Sequence, residues 1–370
     1  MVPNYKKTNM KNDKMIIFSY INIVYYFHFF KKWMSTHGNK KEAIIIKDFF
    51  IREKFDFYSV RFNGRMGQIF NKKPTLVFGI EPNFSKLCEI FPNTIKVYYA
   101  TGSYFSHQNE MIISRTDKFN SDKNTQLPYI RLAEVNDCAQ KSDYILQIGS
   151  SFTIETYPIE YQNKIKLIRQ TSFNFPNFDI SKKKALSDHS RFIWLGSTGS
   201  ILKGLDLVID YFSQNPKLHL DIVGPIDDEF LSIYKQILNS SLNIKWHGFV
   251  PIKSKRMLDI MYRCTFIILP SASEGMPGSV INSMKMGLIP ILSKYAAFNS
   301  LEKHGILIES LDFSSINNSV KKALELSLNQ IDELQNLAIE YVNLNHSIET
   351  FTSDLESFFN FVLKDVGGII

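Results

Sequence analysis

Residues 266–291, FIILPSASEGMPGSVINSMKMGLIPI, decide how this chain is read. An apolar strand ends at Pro270, and a loop follows with one acid, Glu274, and two glycines, Gly275 and Gly278. A helix is expected over 278–286, then a second apolar strand. Gly275 and Gly278 let backbone N–H groups approach a ligand closely, and the start of a helix favours an anion. A carboxylate cannot grip phosphate, so Glu274 suits sugar hydroxyls beside that anion site. An ordinary strand–loop–helix turn would use the same residues, and the rest of the chain has to choose.

A second loop, 196–204 (GSTGSILKG), lies between the first strand and first helix of the same half. Gly196, Gly199, the hydroxyls and Lys203 can cradle a diphosphate, with Lys203 neutralising it. The spacing matches neither a Walker loop nor the dinucleotide fingerprint. Alone, it reads equally as a glycine-rich turn with a solvated lysine.

Strand and helix patterns alternate outward from these loops. In the second half, strands are expected over 191–195, 218–223, 243–246, 265–269, 288–292 and 305–308, with helices over 205–213, 228–239 and 253–262 between them. In the first half they fall at 15–21, 55–60, 75–80, 95–100, 144–148 and 164–168, with a helix over 40–53. A polar stretch bearing Pro and Lys, 172–190, interrupts the alternation. We therefore divide the chain into 1–180, 181–345 and a terminal helical segment, 346–370. The fold class expected is α/β: two doubly wound, Rossmann-like parallel-sheet domains facing a cleft, with ligand beyond the carboxyl ends of the strands.

Composition bounds the function. Of 370 residues, 44% are apolar and 21% charged, which excludes wholesale disorder. Cys88, Cys138 and Cys264 are too scattered for a disulfide framework or a Cys-based zinc site, which points to a reducing compartment. The net charge is +7, and residues 1–56 carry eleven Lys/Arg against five acids. A solvated basic face, an anionic membrane surface and nucleic acid all fit such a patch. No nucleic-acid-binding module is evident, so no nucleic-acid partner is expected. Residues 15–30 are apolar but short for a membrane span, and no signal-peptide cleavage site follows them. We read them as a strand followed by a loop whose aromatic tail, 25–30, can touch lipid.

Taken together, the second half resembles the donor domain of the family-4 glycosyltransferases, which have the GT-B fold. The matching pieces come in order: GSTGSILKG at 196–204, VG at 223–224, HGFV at 247–250 and SASEGMPGSVINSMKMGLIPI at 271–291. Coverage is strong over 191–310 and weaker, though compatible, in the first half.

The resemblance implies retaining transfer of a sugar from a nucleotide-sugar donor, a UDP-sugar by first choice, to a hydroxyl of a glycan or lipid-linked acceptor. It implies a metal-independent hexosyltransferase of cell-surface polysaccharide synthesis (O-antigen or capsule), cytoplasmic and peripheral on the membrane. The nucleotide-sugar is a co-substrate, and no cofactor or metal is expected. The chain contains no Asp-x-Asp pair, which disfavours the metal-dependent GT-A design. Lys203, with Gly196 and Gly199, would hold the diphosphate. The family usually has a basic residue where this chain has Ser197, so one phosphate contact is absent or supplied elsewhere. Glu274 would contact sugar hydroxyls, with Gly275, Met276, Pro277 and Gly278 lining the sugar. The backbone of Ser279 and Val280 would meet the diphosphate, and Gly248, Phe249 and Val250 would flank the base. The family's ribose-binding glutamate falls on Asn282. On the acceptor side, His37 and Gly38 follow the first strand. The family's histidine after the fourth strand is replaced either by His107 or by Thr101 and Gly102. Arg115 and Glu110, and Arg131 and Glu134 on an expected helix, read as surface or interdomain ion pairs. A sugar-nucleotide epimerase and a non-catalytic sugar-nucleotide-binding module are the alternatives.

Overall fold

The computed structural model describes residues 4–8, 12–27, 38–66 and 72–367. The first sheet has seven strands: β1 (Tyr5–Lys7), β2 (Lys14–Tyr20), β3 (Phe55–Arg61), β4 (Leu76–Gly79), β5 (Ile95–Ala100), β6 (Tyr144–Ile148) and β7 (Ile165–Ile168). Their order is β1-β3-β2-β4-β5-β6-β7, with β1 antiparallel on the edge and the remaining pairs parallel. The second sheet has six: β8 (Asp188–Leu195), β9 (His219–Val223), β10 (Ile244–Trp246), β11 (Cys264–Leu269), β12 (Ile289–Ser293) and β13 (Ile306–Ile308). All pairs are parallel in the order β10-β9-β8-β11-β12-β13, the doubly wound arrangement.

The central strands form because helices cover both faces, so every residue can be apolar. All six residues of β11 and all five of β12 are buried. The edge strand β1 was not foreseen: its three residues, Tyr-Lys-Lys, carry no periodic apolar signal. The Phe313–Leu324 and Leu328–Asn345 helices are additional; the second begins with a capping box between Ser327 and Gln330.

Two expectations need correction. Tyr25, assigned to a lipid-touching tail, lies in a one-turn helix (Val24–Phe27), buried, with its hydroxyl donating to the Ala43 carbonyl (3.2 Å). An aromatic ring of this size fills the core beside Phe57 instead (ring centroids 5.6 Å apart). Residues 28–37 lie outside the described residues. Among the described residues, no helix is long and apolar enough to cross a membrane. Arg131 and Glu134 are not helical: the Phe105–Lys123 helix ends at Asn124 in the left-handed conformation, and Arg131 itself has φ +71°.

The chain leaves the first sheet at β7 and enters the second at β8. The terminal helix Ile348–Gly367 then returns to the first domain. There Phe359 packs on Phe50, Phe78 and Phe49 (4.8, 5.2 and 5.7 Å), and Asp354 accepts from Arg169 (2.6 Å). The two domains also meet directly. Arg115 on the Phe105–Lys123 helix donates to Asp206 of the second domain (2.6 Å), and both side chains are buried. Burial pushes the Asp206 carboxyl up, and the Arg115 charge opposes that shift. Phe119 stacks on Phe230 beside this pair (5.8 Å).

A buried pair broken on one side strands a charge. Arg115→Ala should therefore cost about 3–5 kcal/mol in urea unfolding. The apolar double variant Arg115→Met/Asp206→Leu should recover most of that loss. An Arg115→Ala cost of about 1 kcal/mol or less, the worth of an exposed pair, would show that the contact is solvated in solution.

Candidate active site

Strand order reverses between β8 and β11, and this opens a crevice beyond their carboxyl ends. The loop after β8 and the loop after β11 flank it. A cavity of about 360 Å³, open to solvent, lies there between the domains. The second domain lines it with Gly196, Ser197, Lys203, Glu274, Gly278 and Ser279, among others.

Lys203 sits on a tight turn. Its N–H donates to the Gly199 carbonyl (3.0 Å), and its carbonyl accepts from the Trp194 indole (3.1 Å). Trp194 also explains Gly196, since a Cβ there would lie 2.3 Å from the indole ring. The Lys203 ammonium reaches Glu274 Oε1, which also accepts from Ser271 Oγ (3.0 Å). Glu274 is held by its backbone as well: its N–H donates to Tyr295 O (3.0 Å) and its carbonyl accepts from Ser103 Oγ of the first domain (2.9 Å). Its Oε2 makes no protein hydrogen bond among the described residues, which leaves it available to a hydroxyl. The two loops that the sequence singled out therefore share one ion pair.

Other expected residues are placed differently. A Cβ on Gly275 would lie 2.4 Å from the Thr101 carbonyl and 3.0 Å from that of Ile148. This glycine is therefore required by the close approach of the two domains. Met276, Pro277, Gly278 and Ser279 line the cavity, but the Val280 side chain is wholly buried and its N–H donates to Pro277 O (3.0 Å). Asn282 lines the cavity with its amide already engaged: Oδ1 accepts from Phe173 N (2.8 Å) and Nδ2 donates to Gly278 O (2.6 Å). Phe249 is 65% exposed at the rim, Val250 is buried behind it, and the Gly248 carbonyl accepts from Gly224 N (2.9 Å). Gly199 does not line this cavity; its φ is +89° and its N–H donates to Asp227.

On the first-domain side, Gly38 lines the cavity, and His37 lies outside the described residues. His107 does not line the cavity. Its ring stacks on Tyr295 (6.3 Å) and meets the edge of Phe152 (5.7 Å), and burial holds its pKa below the usual histidine value. The Gly102 carbonyl accepts from Gln147 (2.9 Å).

Sequence reasoning missed Asp227 and Gln170 and read Arg131 only as an ion-pair residue; Asn39, next to Gly38, also lines the cavity. The Asp227 carboxylate accepts from Gly199 N (3.0 Å), Ser200 N (2.7 Å) and Ser200 Oγ (2.8 Å), so it occupies the amide nest of the glycine loop. Nothing local marks it, because it follows β9 and comes to the nest through the sheet.

Residues 177–342, just under half of the chain, match the family model described as glycosyl transferases group 1. The fold is GT-B. Three solved structures share it. HepE from Anabaena, in complex with UDP and glucose, is 12% identical with TM-score 0.60, covering 94% of this chain and 99% of its own. The sucrose-phosphate synthase from Thermosynechococcus elongatus is 12% identical with TM-score 0.64, covering 95% and 99%. TarM is 16% identical with TM-score 0.53; the match takes in 79% of this chain and 55% of TarM. No curated protein matches the chain in sequence.

One buried group beside the GT-B cleft titrates in an informative range. Glu42, on the Gly38–Arg52 helix, is wholly buried; Oε1 accepts from Thr171 N (2.9 Å) and Oγ1 (3.0 Å), and Oε2 has no partner. Burial pushes its carboxyl up to about 7. A carboxyl raised on folding binds its proton more tightly in the native state. Its contribution is therefore fully present below the unfolded value near 4.5 and is lost as pH rises through 7. Glu42→Gln should thus gain on the parent by roughly 3 kcal/mol between pH 4.5 and pH 8 in urea unfolding. Parallel curves for the two proteins would show that folding leaves the Glu42 carboxyl at its ordinary value near 4.5.

Proposed function

We propose that this protein is a retaining glycosyltransferase that moves a sugar from a nucleotide-sugar, a UDP-sugar by first choice, to a hydroxyl of a glycan or lipid-linked acceptor. The observation that carries the reading is the meeting of Lys203 and Glu274 at the switch point, beside the start of the Gly278–Lys285 helix. A cation, a carboxylate and a helix N-terminus in one cleft suit a diphosphate joined to a sugar. The group 1 match over this domain supports the reaction class, and HepE carrying UDP and glucose supports the donor class.

As the glycosidic bond breaks, charge grows on the leaving diphosphate. Lys203 and the backbone at Ser279 would stabilise it in place, with no reorganisation at the moment of reaction. Glu274 Oε2 would orient the sugar through its hydroxyls. Among the described residues lining the cavity, Glu274 is the one carboxylate, and Lys203 already holds it. A flanking pair for double displacement therefore has no support, and same-face transfer, with the leaving phosphate taking the acceptor proton, is the favoured course. Asn39 and Gln170 give the first-domain wall polar groups for an acceptor hydroxyl. The excess of positive charge in residues 1–56 supports recruitment to an anionic membrane surface bearing a lipid-linked acceptor.

A non-catalytic nucleotide-sugar module is the second reading. It is favoured by Asn282, whose amide is spent on Phe173 and Gly278, and by Asp227 in the loop nest.

UDP at a hundred times its dissociation constant should stabilise the protein by about 2.7 kcal/mol, with or without EDTA. Lys203→Ala should abolish most of that shift, and Glu274→Ala should weaken binding of the UDP-sugar more than of UDP. Slow release of free sugar from a UDP-sugar identifies an enzyme, whereas binding without any turnover or transfer identifies the module. A shift that needs Mn²⁺ or Mg²⁺ would overturn metal independence.

A further inference from the structure

We propose that Arg131, carried by the first domain, is the second cation of the donor diphosphate site, so that the site is completed across the cleft. This rests on the glycosyltransferase reading and adds to it a residue that lies outside the donor domain.

The argument begins with charge. Among the described residues lining the cavity, three are charged: Lys203, Glu274 and Arg131. Lys203 and Glu274 neutralise each other. The diphosphate of a nucleotide-sugar brings two negative charges, and the amides of Gly199 and Ser200 offer them nothing, since both donate to the Asp227 carboxylate and neither residue lines the cavity. That carboxylate adds a further negative charge behind the loop. Without Arg131 the charged residues lining the cavity sum to zero, and Arg131 supplies their one net positive charge toward the diphosphate. Arg131 has no carboxylate partner among the described residues. Its Nη1 donates weakly to Ser197 Oγ (3.3 Å) and to Thr198 O (3.2 Å), both neutral acceptors on the rim of the loop.

The placement is built into the fold. Arg131 takes the left-handed backbone (φ +71°), which is uncommon for a long side chain. Its segment is pinned to the Phe105–Lys123 helix: Gln108 donates to Arg131 O (2.9 Å), and Asn109 exchanges hydrogen bonds with the backbone of Ala133 (2.7 and 2.9 Å). The opposite wall makes room for the stem, because a Cβ on Gly199 would lie 2.7 Å from Arg131 Cδ. Gly199 itself is required by its own turn, at φ +89°, and the arginine stem packs against it. A guanidinium offers two parallel N–H groups to a phosphate, and neutral acceptors give it up readily to one. The helix that pins Arg131 is also the one that carries the Arg115–Asp206 and Phe119–Phe230 contacts, so domain docking and the position of the guanidinium are coupled.

The test is isothermal titration of the full chain with UDP, UMP and uridine, and with GDP and ADP in case the base differs. The parent should prefer the nucleoside diphosphate to the monophosphate. Arg131→Ala should cut diphosphate affinity by about 10- to 100-fold and leave the nucleoside unchanged. Arg131→Lys should fall between, since it keeps the charge and loses the fork. Arg131→Ala/Ser197→Arg, which returns a guanidinium to the atom that Arg131 touches, should restore the preference for diphosphate. Equal loss for UDP, UMP and uridine would overturn the proposal, because Arg131 would then only be holding the loop. Unchanged diphosphate binding in Arg131→Ala would overturn it while leaving the glycosyltransferase reading intact. A parent that binds no nucleoside diphosphate would overturn both.

Discussion

The parallel pairing of β8 with β11 sets Phe192 opposite Phe266 and Ile193 opposite Ile267, two strands far apart in the chain. Strand order reverses at this pairing, so the loops leaving the two strands diverge from a single crevice. The ion pair between Lys203 and Glu274 exists because of it. So does the position of the Gly278–Lys285 helix, whose first residues line the cavity. Buried apolar strands hold the register, since shifting either strand by one residue would turn its side chains to the opposite face. The polar chemistry of the cleft thus stands on a core that contains almost none.

Most polar groups of the cleft are already paired with protein. Glu274 is held by Lys203, Ser271, Tyr295 and Ser103, and the glycine loop is held by Asp227. Such pairing orients groups before a ligand arrives and leaves few of them to be reorganised. Among the described residues lining the cavity, Glu274 Oε2, Asn39 Oδ1, Gln170 Oε1 and the weakly held Arg131 are exceptions, and there a ligand gains most. Two close approaches bring the walls together. Gly275 admits the carbonyls of Thr101 and Ile148, and Gly199 admits the stem of Arg131. Both glycines read from sequence as ligand contacts, and the fold uses both for domain contact.

The strands and the helices that carry the two loops were legible because apolar runs and helical periods are local signals. The edge strand β1 escaped because three residues cannot show a period, and Tyr25 was misread because an aromatic beside lysines looks the same at a membrane as in a core. Lys203, Glu274, Gly278 and Ser279 could be found because motif residues cluster along the chain. Asp227, Arg131 and Gln170 could not, since each belongs to a different strand connection and meets the others only through sheet order. His107 shows the reverse case: a histidine at a plausible spacing that the fold places against Tyr295 and Phe152.

By itself the sequence determined the α/β alternation, the two glycine-bearing loops and the helix start after the second of them, because hydrophobic period, glycine and charge act over a few residues. Tertiary structure alone decided which charges face one another. It paired Lys203 with Glu274, seated Asp227 in the loop nest, committed Asn282 to the linker at Phe173 and brought Arg131 across the cleft. The reason is physical: electrostatic and hydrogen-bonding partners are selected by distance in space, and only the packed sheets and docked domains set that distance.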